Sequence, residues 1–186
     1  MQFHLIDRVV ELDPGRRIVA EKSVSLAEEY LAEHFPDFPV LPGVLMLETM
    51  VQAARWLVHQ VQDFTVPLIL LESVKGVTYK AFVAPGDVLR VDVRCKSLAS
   101  DRSEFQGAGF CNGREAVKGR FALTHARLTG DATSTGPSGA HEAVESSRHA
   151  DAKGRDLDGD QILSSARRRW NQICRIASSE ASSATG

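Results

Sequence analysis

The stretch richest in chemistry is His34-Phe35-Pro36-Asp37-Phe38-Pro39-Val40-Leu41-Pro42-Gly43-Val44-Leu45-Met46-Leu47-Glu48. Pro36, Pro39 and Pro42 fix φ and limit the entropy of the loop, so His34 is held in a defined place. An imidazole there can serve as a base near neutral pH. Pro42 and Gly43 open a helical pattern whose first turn offers unpaired N–H groups and the positive end of the dipole. Gly43 has no side chain, so a ligand oxygen can approach its backbone closely, an arrangement suited to a developing negative oxygen such as a thioester enolate. Glu48 lies among Leu45, Met46, Leu47, Met50 and Val51. Burial there would disfavour its charged form and make it a general acid. Base, acid and oxyanion donor together are the set needed to abstract a proton beside a thioester and expel water. Each sign also has a plainer reading. Glu48, Gln52, Arg55 and His59 fall at i, i+4, i+7 and i+11, which a solvated helical stripe would explain. A loop histidine can cap or pack, and Pro-Gly is ordinary punctuation before a helix.

The elements that would position these groups can be read on both sides. FHLIDRVVEL and RIVAEKSVS are strand-like and separated by Asp13-Pro14-Gly15, a hairpin signal. LAEEYLAEH is helix-like and leads into the proline-rich loop. VLMLETMVQAARWLVHQVQ, from Val44 to about Gln62, is a long apolar helix, and Pro67 lies beyond its end. PLILLESVKGVTYKAF, VLRVDVRCKSL, SEFQGAGFCNG and REAVKGRFALTHARL follow as strands. Leu89, Val91, Val93 and Cys95 alternate with Arg90, Asp92, Arg94 and Lys96, the period of a half-buried antiparallel strand. Asn112-Gly113 is a hairpin pair. The expected fold is α+β, an antiparallel sheet of five to six strands wrapped round one long central helix.

The whole chain has 186 residues, 43% hydrophobic and 25% charged, with a net charge of −2. That is a soluble globular composition, with no electrostatic drive toward nucleic acid. No apolar run is long enough for a membrane span, and MQFHLIDRVV is not a secretory signal. Cys95, Cys111 and Cys174 are widely spaced and odd in number, so neither a zinc site nor a disulfide framework is expected, and the setting is expected to be cytoplasmic.

Composition changes near residue 130. Residues 1–130 are read as the domain and 131–156 as a disordered linker. Residues 157–178 form an amphipathic tail helix and 179–186 a disordered end. Ile162, Leu163, Ala166, Trp170, Ile173, Cys174 and Ala177 share one face of the tail helix; Arg167, Arg168 and Arg169 lie on the other. Such a helix cannot make its own core and must dock on the domain, bind a partner, or form transiently. The run Asp156, Asp158, Gly159, Asp160 resembles part of a calcium loop. With Gly159 as the turn glycine, however, the end positions are Gly154 and Ser165, which carry no carboxylate, so no metal site is expected.

HFPDFPVLPGVLMLETMVQAA closely resembles the active-site motif of the 3-hydroxyacyl-acyl carrier protein dehydratases of the FabZ type, which have the hotdog fold. FHLIDRVVELDPGRRIVAEKSVS and VKGVTYKAFVAPGDVLRVDV resemble that family's opening hairpin and its Pro-Gly-Asp segment. The resemblance covers roughly residues 3 to 129. It implies dehydration of 3-hydroxyacyl thioesters to trans-2-enoyl thioesters, with His34 as catalytic base and Glu48 as catalytic acid. The Gly43 N–H would hold the thioester carbonyl and Gln52 would support the carboxylate. It implies a homodimer at least, with His and Glu of one site coming from two chains, and the family includes trimers of dimers. No cofactor is implied, since the phosphopantetheine arm belongs to the substrate. Tyr79 or Phe82 would line or gate an acyl tunnel, or else pack as strand-face aromatics. Lys80 would meet an acidic acyl carrier protein, or else be a solvated lysine. Asp37 departs from the family pattern, in which glycine usually follows His-Phe-Pro, and the tail has no counterpart. A hotdog thioesterase and a non-catalytic acyl-thioester-binding module are the alternatives.

Overall fold

The computed structural model describes residues 4–32, 34, 37–126 and 159–183. β1 (Arg8–Asp13) and β2 (Arg17–Ser23) form a hairpin. Gly15 sits at φ +73° in its turn, closed by an Arg16 N–H to Asp13 carbonyl bond of 3.0 Å. After a single 3₁₀ turn, Glu29–Leu31, comes the long helix α1 (Gly43–Val61). β3 (Leu68–Tyr79), β4 (Val88–Leu98), β5 (Arg102–Cys111) and β6 (Arg114–Ala126) follow, and α2 (Gly159–Ser183) closes the order. The six strands make one sheet in the order β1-β2-β4-β5-β6-β3, antiparallel at every pairing. This is the expected hotdog arrangement, with α1 against the concave face.

The core follows from period. Leu89, Val91 and Val93 of β4 are buried while Arg90 and Arg94 face away. On α1, Met46, Met50, Val51, Ala53, Ala54, Leu57 and Val58 are buried against the sheet. Gly107 lets the helix come close: a Cβ there would lie 2.7 Å from the Met50 sulfur. Phe105 and Phe121, opposite one another on β5 and β6, stack at 5.7 Å. Asn112 and Gly113 both take positive φ at the β5–β6 turn, as that dipeptide favours.

Two expectations need correction. LAEEYLAEH forms one 3₁₀ turn, not a longer helix, because Leu31 is the sole buried residue of that turn and anchors no extended apolar face. The tail helix, expected over 157–178, is described from Gly159 and runs on to Ser183, past its expected end, and residues 157 and 158 lie outside the described residues. Gly159 and Ser165 lie inside this helix, which leaves no loop there of the calcium-binding kind. The linker expected at 131–156 and the domain end at 130 lie outside the described residues.

α2 docks on the domain. Trp170 and Ile173 enter the core cluster, with Leu163, Ala166 and Cys174 packed at its margin. Burying a side chain such as Ile173 is worth roughly 1.5–3 kcal/mol. The helix lies against β1 and the C-terminal end of α1. β1 and β3 are the two edge strands, and Leu70 and Leu71 are exposed on β3.

Candidate active site

α1 begins where Pro42, φ −54°, hands over to Gly43; the Pro42 carbonyl accepts from Leu45 and Met46 N–H groups at 2.9 and 3.1 Å. The Gly43 and Val44 N–H groups precede any helix carbonyl that could accept from them, and they sit at the positive dipole end. A pocket of about 350 Å³ opens beside them. His34, Gly43, Tyr79, Lys80 and Phe82 line it together with Val40, Leu41, Met46 and Ala81. The loop, the helix start and the segment after β3 thus bring five of the expected site residues to one place. The apolar lining suits a hydrocarbon chain, and the helix end suits an oxyanion.

Tyr79 packs its ring against Gly43, where a Cβ would come 3.0 Å from Tyr79 Cε1. Partial burial pushes the Tyr79 phenol above its usual pKa, so it is a neutral donor or acceptor at physiological pH. Phe82 meets Phe38 edge to face at 6.0 Å, and both rings are exposed, at 70% and 59%. Lys80 makes an ion pair of 2.6 Å with Glu115 at the rim, and this partner raises its pKa. Asp37, like Phe38, lies on the exposed part of the loop.

Glu48 and Gln52 are placed elsewhere. Glu48 does not line this pocket. It follows Gly43 by five residues, about 140° round the helix. Its side chain is 29% exposed and half-buried, like Leu45 and Leu47 beside it, while Met46, Met50 and Val51 are the buried neighbours. Glu48 Oε1 accepts from Arg55 Nη1 at 2.9 Å and from Gln52 Nε2 at 3.2 Å. Gln52 Oε1 in turn accepts the Leu5 N–H at 2.9 Å. The i, i+4, i+7 stripe is thus a hydrogen-bonded set, not a row of solvated side chains.

Its fourth member, His59, has a different environment. Its ring stacks on Phe64 at 5.4 Å and lies 6.0 Å from Trp56. Burial first, then Arg55 and His125, lower its pKa to about 4. Sequence reasoning assigned Arg55 no part in the site; its i+7 spacing from Glu48 was the available signal. The Leu5 contact had no such signal, because it comes from a segment distant in sequence.

The FabA-like domain family model matches residues 1–124. The 3-hydroxyacyl-[acyl-carrier-protein] dehydratase FabZ of Ruminiclostridium cellulolyticum is 34% identical over 126 residues, covering 67% of this chain and 89% of that protein. The protein of the same name from Symbiobacterium thermophilum is 38% identical over 124 residues, covering 67% and 86%. Among solved structures, the dehydratase heterocomplex ApeI:P from Xenorhabdus doucetiae aligns with a TM-score of 0.58 at 20% identity, over 67% of this chain and 84% of that one. With the matching model spanning the sheet, α1 and the whole pocket, the chain belongs to the FabA-like domain family.

Proposed function

We propose that the protein dehydrates 3-hydroxyacyl thioesters carried on acyl carrier protein to trans-2-enoyl thioesters, in fatty-acid or related acyl-chain synthesis. The observation that carries this reading is the pocket that gathers His34 and the α1 N-terminus over an apolar floor, in a chain related to FabZ dehydratases. His34 takes the α-proton as the C2–H bond breaks. The electron pair moves toward the thioester oxygen, stabilised by the Gly43 N–H and the helix dipole. The C3–O bond then breaks, and Glu48 gives its proton to the departing hydroxyl, which leaves as water. The elimination changes no oxidation state and needs no redox cofactor; the pantetheine arm arrives with the substrate.

Glu48 is outside its own chain's pocket, so we assign the acid of each site to a second subunit. Exposed Phe38, Val44, Tyr79 and Phe82 at the pocket rim form the kind of apolar surface an interface covers. The open edge of β3 offers unpaired backbone groups to a second copy. A homodimer is the minimum assembly, and a trimer of dimers would repeat the same pair. Lys80 at the rim is suited to an acidic carrier protein. None of Cys95, Cys111 and Cys174 is in a disulfide, which supports a cytoplasmic setting. No helix among the described residues is long and apolar enough to cross a membrane.

The test is to supply the purified protein with a short trans-2-enoyl pantetheine thioester, or the same acyl group on carrier protein, beside His34→Ala. Reversible loss of the enoyl absorbance without thiol release, absent in the variant, is expected. Thiol release would instead make the protein a thioesterase. Binding of acyl thioester without turnover on either carrier would make it a binding module.

A further inference from the structure

α2 lies beyond the family match, which ends at residue 124, yet it is built into the same core. The Trp170 ring sits 5.6 Å from Trp56 and 6.5 Å from Phe64. Arg167 donates to both the carbonyl and Oδ1 of Asp63, each at 2.9 Å, and lies 5.3 Å over the Phe64 ring. These contacts fix α2 to the end of α1. Two residues after Arg167, Arg169 Nη2 donates to the Ile6 carbonyl at 3.4 Å. Leu5 and Ile6 precede β1 and are buried, at 1% and 2% exposure. The Leu5 N–H is the group bonded to Gln52 Oε1.

We propose that α2 is a positioning element for Glu48, acting through the Leu5–Ile6 segment and Gln52. A backbone N–H can only donate, so it takes the amide oxygen of Gln52 and leaves the amide NH2 turned toward the carboxylate. In that orientation Gln52 Nε2 donates to Glu48 Oε1 at 3.2 Å. α2 reaches this buried segment through the Arg169 bond to the Ile6 carbonyl. Arg169 and Trp170 are thus positioning residues, in the dehydratase reading on which this inference rests.

The test uses full-length protein with Trp170→Ala and Arg169→Met, the conservative Trp170→Phe and Arg169→Lys, and each alanine or methionine variant combined with Gln52→Ala. Amide hydrogen exchange at Leu5 is read beside steady-state hydration of an enoyl thioester. Arg169→Met leaves the Trp170 packing in place, so it keeps the test valid if Trp170→Ala unfolds. Exchange at Leu5 should rise about tenfold in both, with strands β4 and β5 unchanged. The kcat should fall about tenfold with KM constant, and the conservative variants should recover it. On the Gln52→Ala background neither substitution should lower kcat further, since both act through that residue. Unchanged Leu5 exchange, unchanged kcat despite lost protection, or additive losses with Gln52→Ala would each overturn the proposal. A wild-type protein without turnover overturns the dehydratase reading instead, and Leu5 exchange still decides whether α2 holds the segment.

Discussion

Gly43 and Tyr79 are in direct contact across the pocket mouth: a methyl group on Gly43 would come within 3.0 Å of Tyr79 Cε1. The start of α1 and the end of β3 are therefore close enough that a side chain at Gly43 would have to displace the Tyr79 ring, and both line the pocket. Gly43→Ala must push the ring aside or tilt the first helical turn, and either moves the oxyanion donors. The expected outcome is a loss of at least about tenfold in kcat/KM for enoyl thioester hydration. Far-UV circular dichroism should stay unchanged, since Gly43 is at the surface end of the helix. Wild-type kinetics would show that the contact does not set the site.

Lys80 is the proposed carrier contact, and its substitution distinguishes carrier recognition from chemistry. It lines the same pocket as His34 and is paired with Glu115 at the rim. Lys80→Glu places like charge before an acidic carrier. KM for the carrier-bound substrate should rise about tenfold, while KM and kcat for the pantetheine thioester stay within about twofold. Equal losses on both substrates would place Lys80 in the chemistry.

His59 gives the fold a defined acid sensitivity. Its pKa falls from an unfolded 6.5 to about 4, because burial against Phe64 and the Arg55 cation disfavour imidazolium. Its Nδ1 also has no hydrogen-bond partner among the described residues. A depressed folded value means the unfolded chain binds the proton first. Stability is thus full above pH 6.5 and is lost as pH falls through the window down to about 4. The loss amounts to up to about 3 kcal/mol. Urea midpoints measured between pH 7.5 and 4.5 should fall for wild type and flatten for His59→Phe. An equally steep fall in the variant would assign the effect to other groups.

Leu70 sits exposed on β3, an edge strand of the sheet. Leu70→Lys adds charge of the kind that blunts strand edges. With the proposed dimer joined along this edge, sedimentation velocity should show wild type as a dimer and the variant shifted toward monomer at micromolar concentration, with activity lost in proportion. An unchanged dimer with full activity would move the interface elsewhere.

Much of this was written in local pattern. The alternation along Leu89, Val91 and Val93, the Asn112-Gly113 turn and the long apolar run of α1 are short-range signals, and each element appeared where its period put it. The pocket residues His34, Gly43, Tyr79, Lys80 and Phe82 were legible because a motif fixed them, and the fold brought them together. What was not legible depended on contacts between distant segments. Glu48 is half-buried in its own chain, because only Met46, Met50 and Val51 among its apolar neighbours are fully buried. The Leu5–Gln52 bond and the seating of Trp170 on Trp56 join residues far apart in the chain, which no spacing rule reports. The helical stretch LAEEYLAEH shrank to one turn because tertiary context gave it a single anchor, Leu31.

The central claim is a site built from His34 of one chain and Glu48 of another. Mixing tests it most directly. His34→Ala and Glu48→Gln should each lower kcat by about 10²–10⁴ as pure proteins. Unfolding and refolding them together at equal amounts should restore about a quarter of wild-type activity by random pairing, since each mixed two-fold dimer holds one intact site. A mixture no more active than its parents, with mixed dimers present by native mass spectrometry, would contradict the shared site.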